Sequence, residues 1–296
     1  MAAGGYSKVD IALRNGSVLH SIKDEGEMAR NRDFDKVVED IKNCFANSPE
    51  PSIKITHYFA IYAELFSHLR GTECTFVETG VLNGGSLFMW REWLGPRARI
   101  IGVDMNPAAA KWREDGFEIL IGDQGDPAFW EQAFTQIGAF DALLDDGGHQ
   151  SFQQIVTAKS AIRAAKKPCV VVIEDTCTSF MKEFSRHRDR SFLNYAKSAT
   201  DLLVANANEF FPGEYPHIDN PGVVEEFQQV YSIQFYSGMV AFQIDPAPVE
   251  RPVIVWNKEA DKFQSDFRYE GVESAEVVWP DPFTRQVVTV RGGRGN

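Results

Sequence analysis

Short apolar runs that end in acids alternate, through the middle of this chain, with stretches of helical spacing. Cys74 to Val77 is a continuous apolar, β-prone run of the kind a strand buried on both faces requires, and Leu87 to Trp93 behind it has helical spacing. Arg99 to Val103, Phe117 to Ile121, Ala139 to Leu144 and Val170 to Ile173 read as further strands, with helical stretches over 107–114, 127–137 and 149–165 between them. Strands and helices alternating at these lengths predict an α/β fold built on a doubly wound, mostly parallel sheet, in which ligands bind at the carboxyl ends of the strands. Upstream, Phe34 to Phe45 and Ile55 to Leu69 have helical periodicity, the latter with Thr56 as its cap. Downstream, Asn194 to Asn208 reads as a helix. Val230 to Phe235, Gly238 to Ile244, Val253 to Trp256, Glu276 to Trp279 and Gln286 to Val290 read as strands.

This pattern divides the chain into a helical N-terminal annex over 1–52, a main domain over 53–245 and a C-terminal β-rich extension over 246–296. Its tail from Arg291 to Asn296 is expected to be disordered. Residues 176–227 are longer than a connection needs to be, and a long insertion on the ligand rim is expected to form a lid. The lid carries a charged patch from Arg186 to Arg190 and the aromatic faces of Phe210, Phe211, Tyr215 and His217. At 296 residues and 44% hydrophobic, the chain can bury one substantial core with some elaboration. The formal charge of −12 argues against a nucleic-acid partner, because phosphate binding needs a basic face. There is no run of about 18 apolar residues and no basic-then-apolar leader, so no membrane partner is expected and the location is read as cytoplasmic. The cysteines Cys44, Cys74, Cys169 and Cys177 show no metal-type pairing and suit a reducing compartment.

Chemistry concentrates where the strands end. The stretch CTFVETGVLNGGS over 74–86 runs from strand through a glycine-rich turn into a helix. Its glycines let the backbone come close to a ligand while the free amides of the helix start face the same place. Glu78 would repel a phosphate there, so a nucleotide held through hydroxyls, or one carrying positive charge, fits better. Asp104, Asp123, the pair Asp145–Asp146 and the pair Glu174–Asp175 follow the next strands. One acid after a strand is an ordinary helix cap, but a succession of them on one rim repels itself unless something cationic sits between. Glu78, Asp104 and Asp123 surround the glycine turn, where the hydroxyls and amine of a nucleoside would be held. Asp145, Asp146, Glu174 and Asp175 make an oxygen-only cluster suited to Mg²⁺, with Mn²⁺ or Ca²⁺ as alternatives.

Taken in order, ETGVLNGGS, GVDMNP, GDQGDP, FDALLDDGGH and VVIEDT resemble the class I S-adenosylmethionine-dependent methyltransferases. Within them the chain is most similar to the metal-dependent O-methyltransferases of macrolide sugars, of the mycinamicin and tylosin type, and to the cephalosporin hydroxylase-like group. The resemblance covers residues 53–245 and implies a Rossmann-like fold whose sheet is closed by an antiparallel hairpin, matched by Val230 to Phe235 and Gly238 to Ile244. It implies S-adenosylmethionine as cofactor, with Glu78 and Gly80 at its methionine end, Asp104 on the ribose hydroxyls, and Asp123 with Gln124 on the adenine side. Gly84, Ser86 and Asp145 are counted with these cofactor contacts. Asp146, Glu174 and Asp175 match the Mg²⁺ ligands and His149 the general base. The chain departs from the pattern at Lys166-Lys167-Pro168-Cys169, where the family has Pro-Gly-Gly, and 246–296 falls outside the match.

An alcohol is a poor nucleophile at neutral pH, so methyl transfer to it calls for a metal that acidifies the hydroxyl and a base that takes its proton. The expected function is transfer of a methyl group to a hydroxyl of a small-molecule glycoside or glycan, by a chain that is compatible with homo-oligomerisation. Two other readings stand beside it. An NAD-type dehydrogenase would use Asp104 on a ribose, but Gly80, Gly84 and Gly85 give GxxxGG instead of GxGxxG, and the second acid cluster would have no task. A non-catalytic glycan- or metal-binding module would keep the fold without turnover. Helix capping is the plain alternative for His149.

Overall fold

The structure, a computed structural model, describes residues 32–205, 229–246, 276–280 and 287–291. Along the chain these are α1 (Arg32–Ala46), α2 (Tyr58–Phe66), β1 (Thr75–Thr79), α3 (Gly85–Leu94), β2 (Arg99–Asp104), β3 (Glu118–Ile121), α4 (Pro127–Ile137), β4 (Ala142–Asp145), α5 (Ser151–Ala164), β5 (Cys169–Ile173), α6 (Phe192–Ala205), β6 (Val230–Tyr236), β7 (Met239–Ile244), β8 (Glu276–Pro280) and β9 (Val287–Arg291). Seven strands form one sheet in the order β3-β2-β1-β4-β5-β7-β6. β1 to β5 run parallel, and β7 joins β5 antiparallel with β6 outside it. This is the class I methyltransferase topology that the strand-and-helix pattern and the resemblance imply.

Each central strand feeds both faces, as a period of two requires. Phe76, Val170 and Val172 join one apolar cluster with Tyr62, Phe66 and Trp90 from α2 and α3. Val77, Val171 and Ile173 join the other with Trp130, Phe134 and Ala158 from α4 and α5. The N-terminal annex is part of this packing: Ile41 of α1 is fully buried in the first cluster. The described front of the 176–227 insertion is likewise in a core layer, since Phe192, Ala196 and Ala199 of α6 lie buried in the second.

Several boundaries differ from expectation for physical reasons. β1 continues to Thr79, so Glu78 sits inside the strand, paired in register with Gly102 and Leu144. The 107–114 segment is a 3-10 helix, Pro107–Arg113, started by the Asn106 side chain accepting from the Ala108 amide. α2 begins at Tyr58, not at Ile55, and is preceded by His57, which makes no side-chain cap; Thr56 is one residue too early to cap it. α5 begins at Ser151 because His149, at φ +56°, is left-handed and cannot belong to it. Arg291, expected in a disordered tail, is the last residue of β9 and pairs with Glu276. Val253 to Trp256, residues 206–208 of the expected helix, Phe210, Phe211, Tyr215 and His217 lie outside the described residues.

Candidate functional site

A cleft of about 510 Å³ opens at the carboxyl ends of β1, β2 and β4, where the strand order reverses. Gly80 bends the chain out of β1 into its floor at φ +92°. A Cβ there would stand 2.1 Å from the Asp146 carbonyl oxygen, so only glycine lets the β1 and β4 loops meet. Gly84, also left-handed at φ +82°, leaves no room for a side chain either: a Cβ there would stand 2.5 Å from the Trp112 ring, and it does not line the cleft. Leu82, His149 and Asp175 are the non-glycine residues at positive φ among the described residues, and all three line the cleft. Backbone strain gathered at one concavity is characteristic of a functional site.

The acids on the β2 and β3 side are satisfied by nearby backbone. Asp104 Oδ2 accepts from the Val81 and Leu82 amides at 2.9 and 3.1 Å, and Oδ1 from the Asn106 amide at 2.8 Å, so this carboxylate fixes the glycine turn while lining the cleft. Asp123, also lining the cleft, accepts from the Gly125 amide at 2.7 Å. Gln124 lines the cleft but is spent on structure: its Nε2 donates to both Asp145 oxygens at 2.9 and 3.0 Å, and its Oε1 accepts from the Gly148 amide. Asp145 is buried behind it and lines no part of the cleft; burial raises its pKa while these hydrogen bonds oppose the rise. Thr79, by contrast, lines the cleft with its hydroxyl buried and without a partner among the described residues.

Glu78 is fully buried beneath the cleft, not on its wall. It accepts from the Ser86 hydroxyl at 2.7 Å and from the Trp90 indole at 3.1 Å. Ser86 itself does line the cleft. Burial raises the Glu78 pKa, against the pull of Lys54 and the hydrogen bonds. Lys54 is the residue that sequence reasoning missed. Its side chain is 1% exposed, and its ammonium lies 2.6 Å from Asp146 Oδ2, 3.4 Å from Glu174 Oε1 and 3.6 Å from Glu78 Oε1. Burial disfavours its charge, yet the carboxylates outweigh that and hold its pKa well above the ordinary value. The crowding of acids called for a cation, and a lysine in the chain supplies one. Its neighbours Pro51, Ser52 and Ile53 form one wall of the cleft, and the strap they belong to is pinned by the Ser48 hydroxyl on the Gly85 carbonyl at 2.8 Å.

Glu174 accepts a hydrogen bond from the buried Tyr62 hydroxyl as well as from Lys54. Burial drives its pKa well above the usual range, with Lys54 opposing and Asp146 adding to the rise. Asp146, His149 and Asp175 come together at the lip of the cleft, offering one ligand atom each within 4.8 Å of one another. His149 Nε2 stands 3.6 Å from Asp175 Oδ2 and 4.0 Å from Asp146 Oδ1, and its Nδ1 has no partner among the described residues. The Tyr58 hydroxyl donates to Asp175 Oδ1 at 2.7 Å, and burial together with that carboxylate raises the phenol's pKa, keeping it a donor. Thr178 ties the two strained residues, its hydroxyl bonding the Asp175 carbonyl at 2.7 Å and the His149 carbonyl at 3.1 Å. The cap of α5 falls to Gln150 and Gln153, whose side chain accepts from the Gln150 amide, so capping does not account for His149. The carboxylate and imidazole atoms of this group suit a hard or borderline divalent ion. The unpartnered Thr79 hydroxyl and the Gly80 bend suit a small polar ligand in the cleft.

No protein-family model matches the chain. It is 31% identical over 160 residues to the 8-demethyl-8-(2-methoxy-alpha-L-rhamnosyl)-tetracenomycin-C 3'-O-methyltransferase of Streptomyces olivaceus, a match covering 50% of this chain and 40% of that protein. It is 30% identical over 150 residues to the mycinamicin VI 2''-O-methyltransferase of Micromonospora griseorubida, covering 47% and 36%. The matches thus span about two-fifths of the length of these relatives. Among solved structures, the MycE methyltransferase of the mycinamycin biosynthetic pathway, in complex with Mg and SAH, superimposes with a TM-score of 0.61 at 22% identity, over 73% of this chain and 56% of that one. The fold is shared, and the sequence is related to sugar O-methyltransferases of natural-product glycosides.

Proposed function

We propose that this chain transfers a methyl group from S-adenosylmethionine to a hydroxyl of a sugar on a glycoside, with a divalent ion, Mg²⁺ first, at Asp146 and Asp175. The observation that carries the reading is the joining of two sites on one cleft: the glycine turn with Asp104 at one end, and the Asp146–His149–Asp175 group at the other. The relatives named above, and a further solved complex of the same methyltransferase with Mg, SAH and mycinamycin VI, support it. In this reading residues 53–245 carry the activity, and the 176–227 insertion contributes to acceptor contact.

When bound, the cofactor supplies the methyl group and the ion acidifies the acceptor hydroxyl. The chain supplies placement and the proton path. Asp104 holds the turn that would fix the cofactor, and Thr79, Ser86 and Asp123 would offer it polar atoms. Asp146 and Asp175 would hold the ion. Tyr58 and Thr178 keep Asp175 facing the lip, and Glu174 remains on Tyr62 and Lys54 beside them. His149 would take the acceptor hydroxyl's proton as the methyl group is transferred.

Because His149 Nε2 also lies within the ligand group, a second reading makes it a metal ligand. His149→Ala separates the two. As base, it loses roughly 10² to 10⁴ in turnover with Mn²⁺ affinity retained. As ligand, it loses Mn²⁺ affinity first. Calorimetric titration with S-adenosylmethionine and with NAD, followed by an acceptor screen with Mg²⁺ and with EDTA, tests the whole reading. NAD binding without S-adenosylmethionine binding, or full turnover in EDTA, would overturn it.

A further inference from the structure

We propose that Lys54 sets the divalent-ion affinity of the acid rim, acting as a resident counter-ion that weakens the ion's hold while keeping the carboxylates in place. The inference rests on the metal-and-cofactor reading above.

The geometry gives the ammonium a share of the same acids. Asp146 is divided: Oδ2 lies 2.6 Å from the Lys54 ammonium, and Oδ1 faces His149 Nε2 at 4.0 Å inside the ligand group. An ion accepted on the Oδ1 side therefore shares one carboxylate with a fixed positive charge. Glu174 is held by the same ammonium at 3.4 Å and by Tyr62, and Glu78 completes the set at 3.6 Å. The Lys54 side chain is 1% exposed and those of Glu78 and Glu174 0% and 2%, so solvent screens the ammonium's end little, while the shared carboxylate of Asp146, 22% exposed, leaves the ion's end partly screened. The strap that carries the lysine lies against the start of α3, which fixes where its side chain begins. A Cβ on Gly85 would come within 2.3 Å of the Glu50 carbonyl oxygen, and Ser48 is bonded to the Gly85 carbonyl. A positioning lysine of this kind keeps the buried carboxylates of Glu78 and Glu174 and the part-exposed one of Asp146 from repelling one another before the ion arrives. It also leaves the ion readily exchangeable.

Lys54→Met keeps the length of the side chain and removes its charge. With Mn²⁺ as probe, read by calorimetry or by the electron paramagnetic resonance of the free ion at fixed pH, the variant is expected to bind the ion about tenfold tighter or more. Its melting temperature in chelator falls, and Mn²⁺ raises that temperature more than it does in the wild type. A lysine with a merely structural role would give weaker ion binding along with the lower melting temperature. Unchanged or weaker Mn²⁺ affinity overturns the proposal. Should Lys54→Met fail to fold, Glu78→Gln serves in its place. It removes the ammonium's third partner and leaves the charge to Asp146 and Glu174, so Mn²⁺ binding is expected to weaken, and unchanged or tighter binding overturns the proposal. SAH titrated into the wild type separates the two levels. A wild type that binds neither SAH nor Mn²⁺ overturns the functional reading and this inference together. One that binds both, with Mn²⁺ affinity unmoved in the variants, overturns the inference alone.

Discussion

The two halves of the acid rim are held in different ways. On the β2–β3 side, Asp104 and Asp123 accept from backbone amides of their own or the neighbouring loop. On the β4–β5 side, Asp146, Glu174 and Asp175 are held by side chains from the strap and from α2: Lys54, Tyr62 and Tyr58, which are 92, 112 and 117 residues away in sequence. A half satisfied by its own loops keeps its shape when a distant side chain changes. A half satisfied from across the fold depends on that distant element being docked, and its carboxylates carry the larger burial penalty.

Single substitutions can break or sharpen this contrast. Tyr62→Phe removes one donor from the buried Glu174 and is expected to cost about 2 kcal/mol in thermal or urea unfolding. A loss near zero would mean that the β4–β5 half does not depend on α2. Asp104→Asn keeps the side chain's shape and one acceptor oxygen, so the turn loses charge-assisted bonds to nearby amides without losing a distant partner. About 1 kcal/mol is expected, with SAH affinity falling as the turn loosens. If Asp104→Asn proves more damaging than Tyr62→Phe, the contrast is reversed. The smallest effect belongs to the opposite edge of the sheet, where Arg99 and Glu118 make an exposed pair with two bonds of 2.6 Å. The hydrogen bond from Arg99 holds the Glu118 carboxyl below its ordinary value, against partial desolvation. A depressed carboxyl stabilises the fold above its unfolded pKa of about 4.3 and loses that contribution as pH falls through the folded value. Glu118→Gln should therefore cost less than about 1 kcal/mol at pH 7 and nothing at acid pH, as unfolding midpoints at the two pH values would show.

The same contrast explains what could be read in the sequence. Strands and the acids behind them are local signals, and apolar runs ending in Asp104, Asp123, Asp145 and Glu174 located the rim without any knowledge of tertiary contacts. The burial of Glu78 and Asp145 was not legible, because a carboxylate inside a strand looks the same whether it faces a cleft or the Trp90 and Gln124 side chains behind it. Lys54 carried no motif at all. Its only signal was electrostatic, an excess of acids on one edge, and that signal names no partner. The left-handed backbone at His149 and Asp175 was equally hidden, since neither residue type demands it and it is held by tertiary contacts such as those of Thr178 and Tyr58.

The strap's lysine has a consequence for how the chain comes to be folded. During synthesis the ammonium emerges first, and the carboxylates of Asp146 and Glu174 follow 92 and 120 residues later. Until β4 and β5 have been made, α2 can rest on β1 with Glu78, at 3.6 Å, as the ammonium's one partner among its three carboxylates, a contact that burial alone does not favour. The nascent N-terminal third therefore gains its final anchorage when the fifth strand arrives. A ribosome pausing between β4 and β5 would hold out an intermediate in which the cleft has its glycine turn but not yet its second wall.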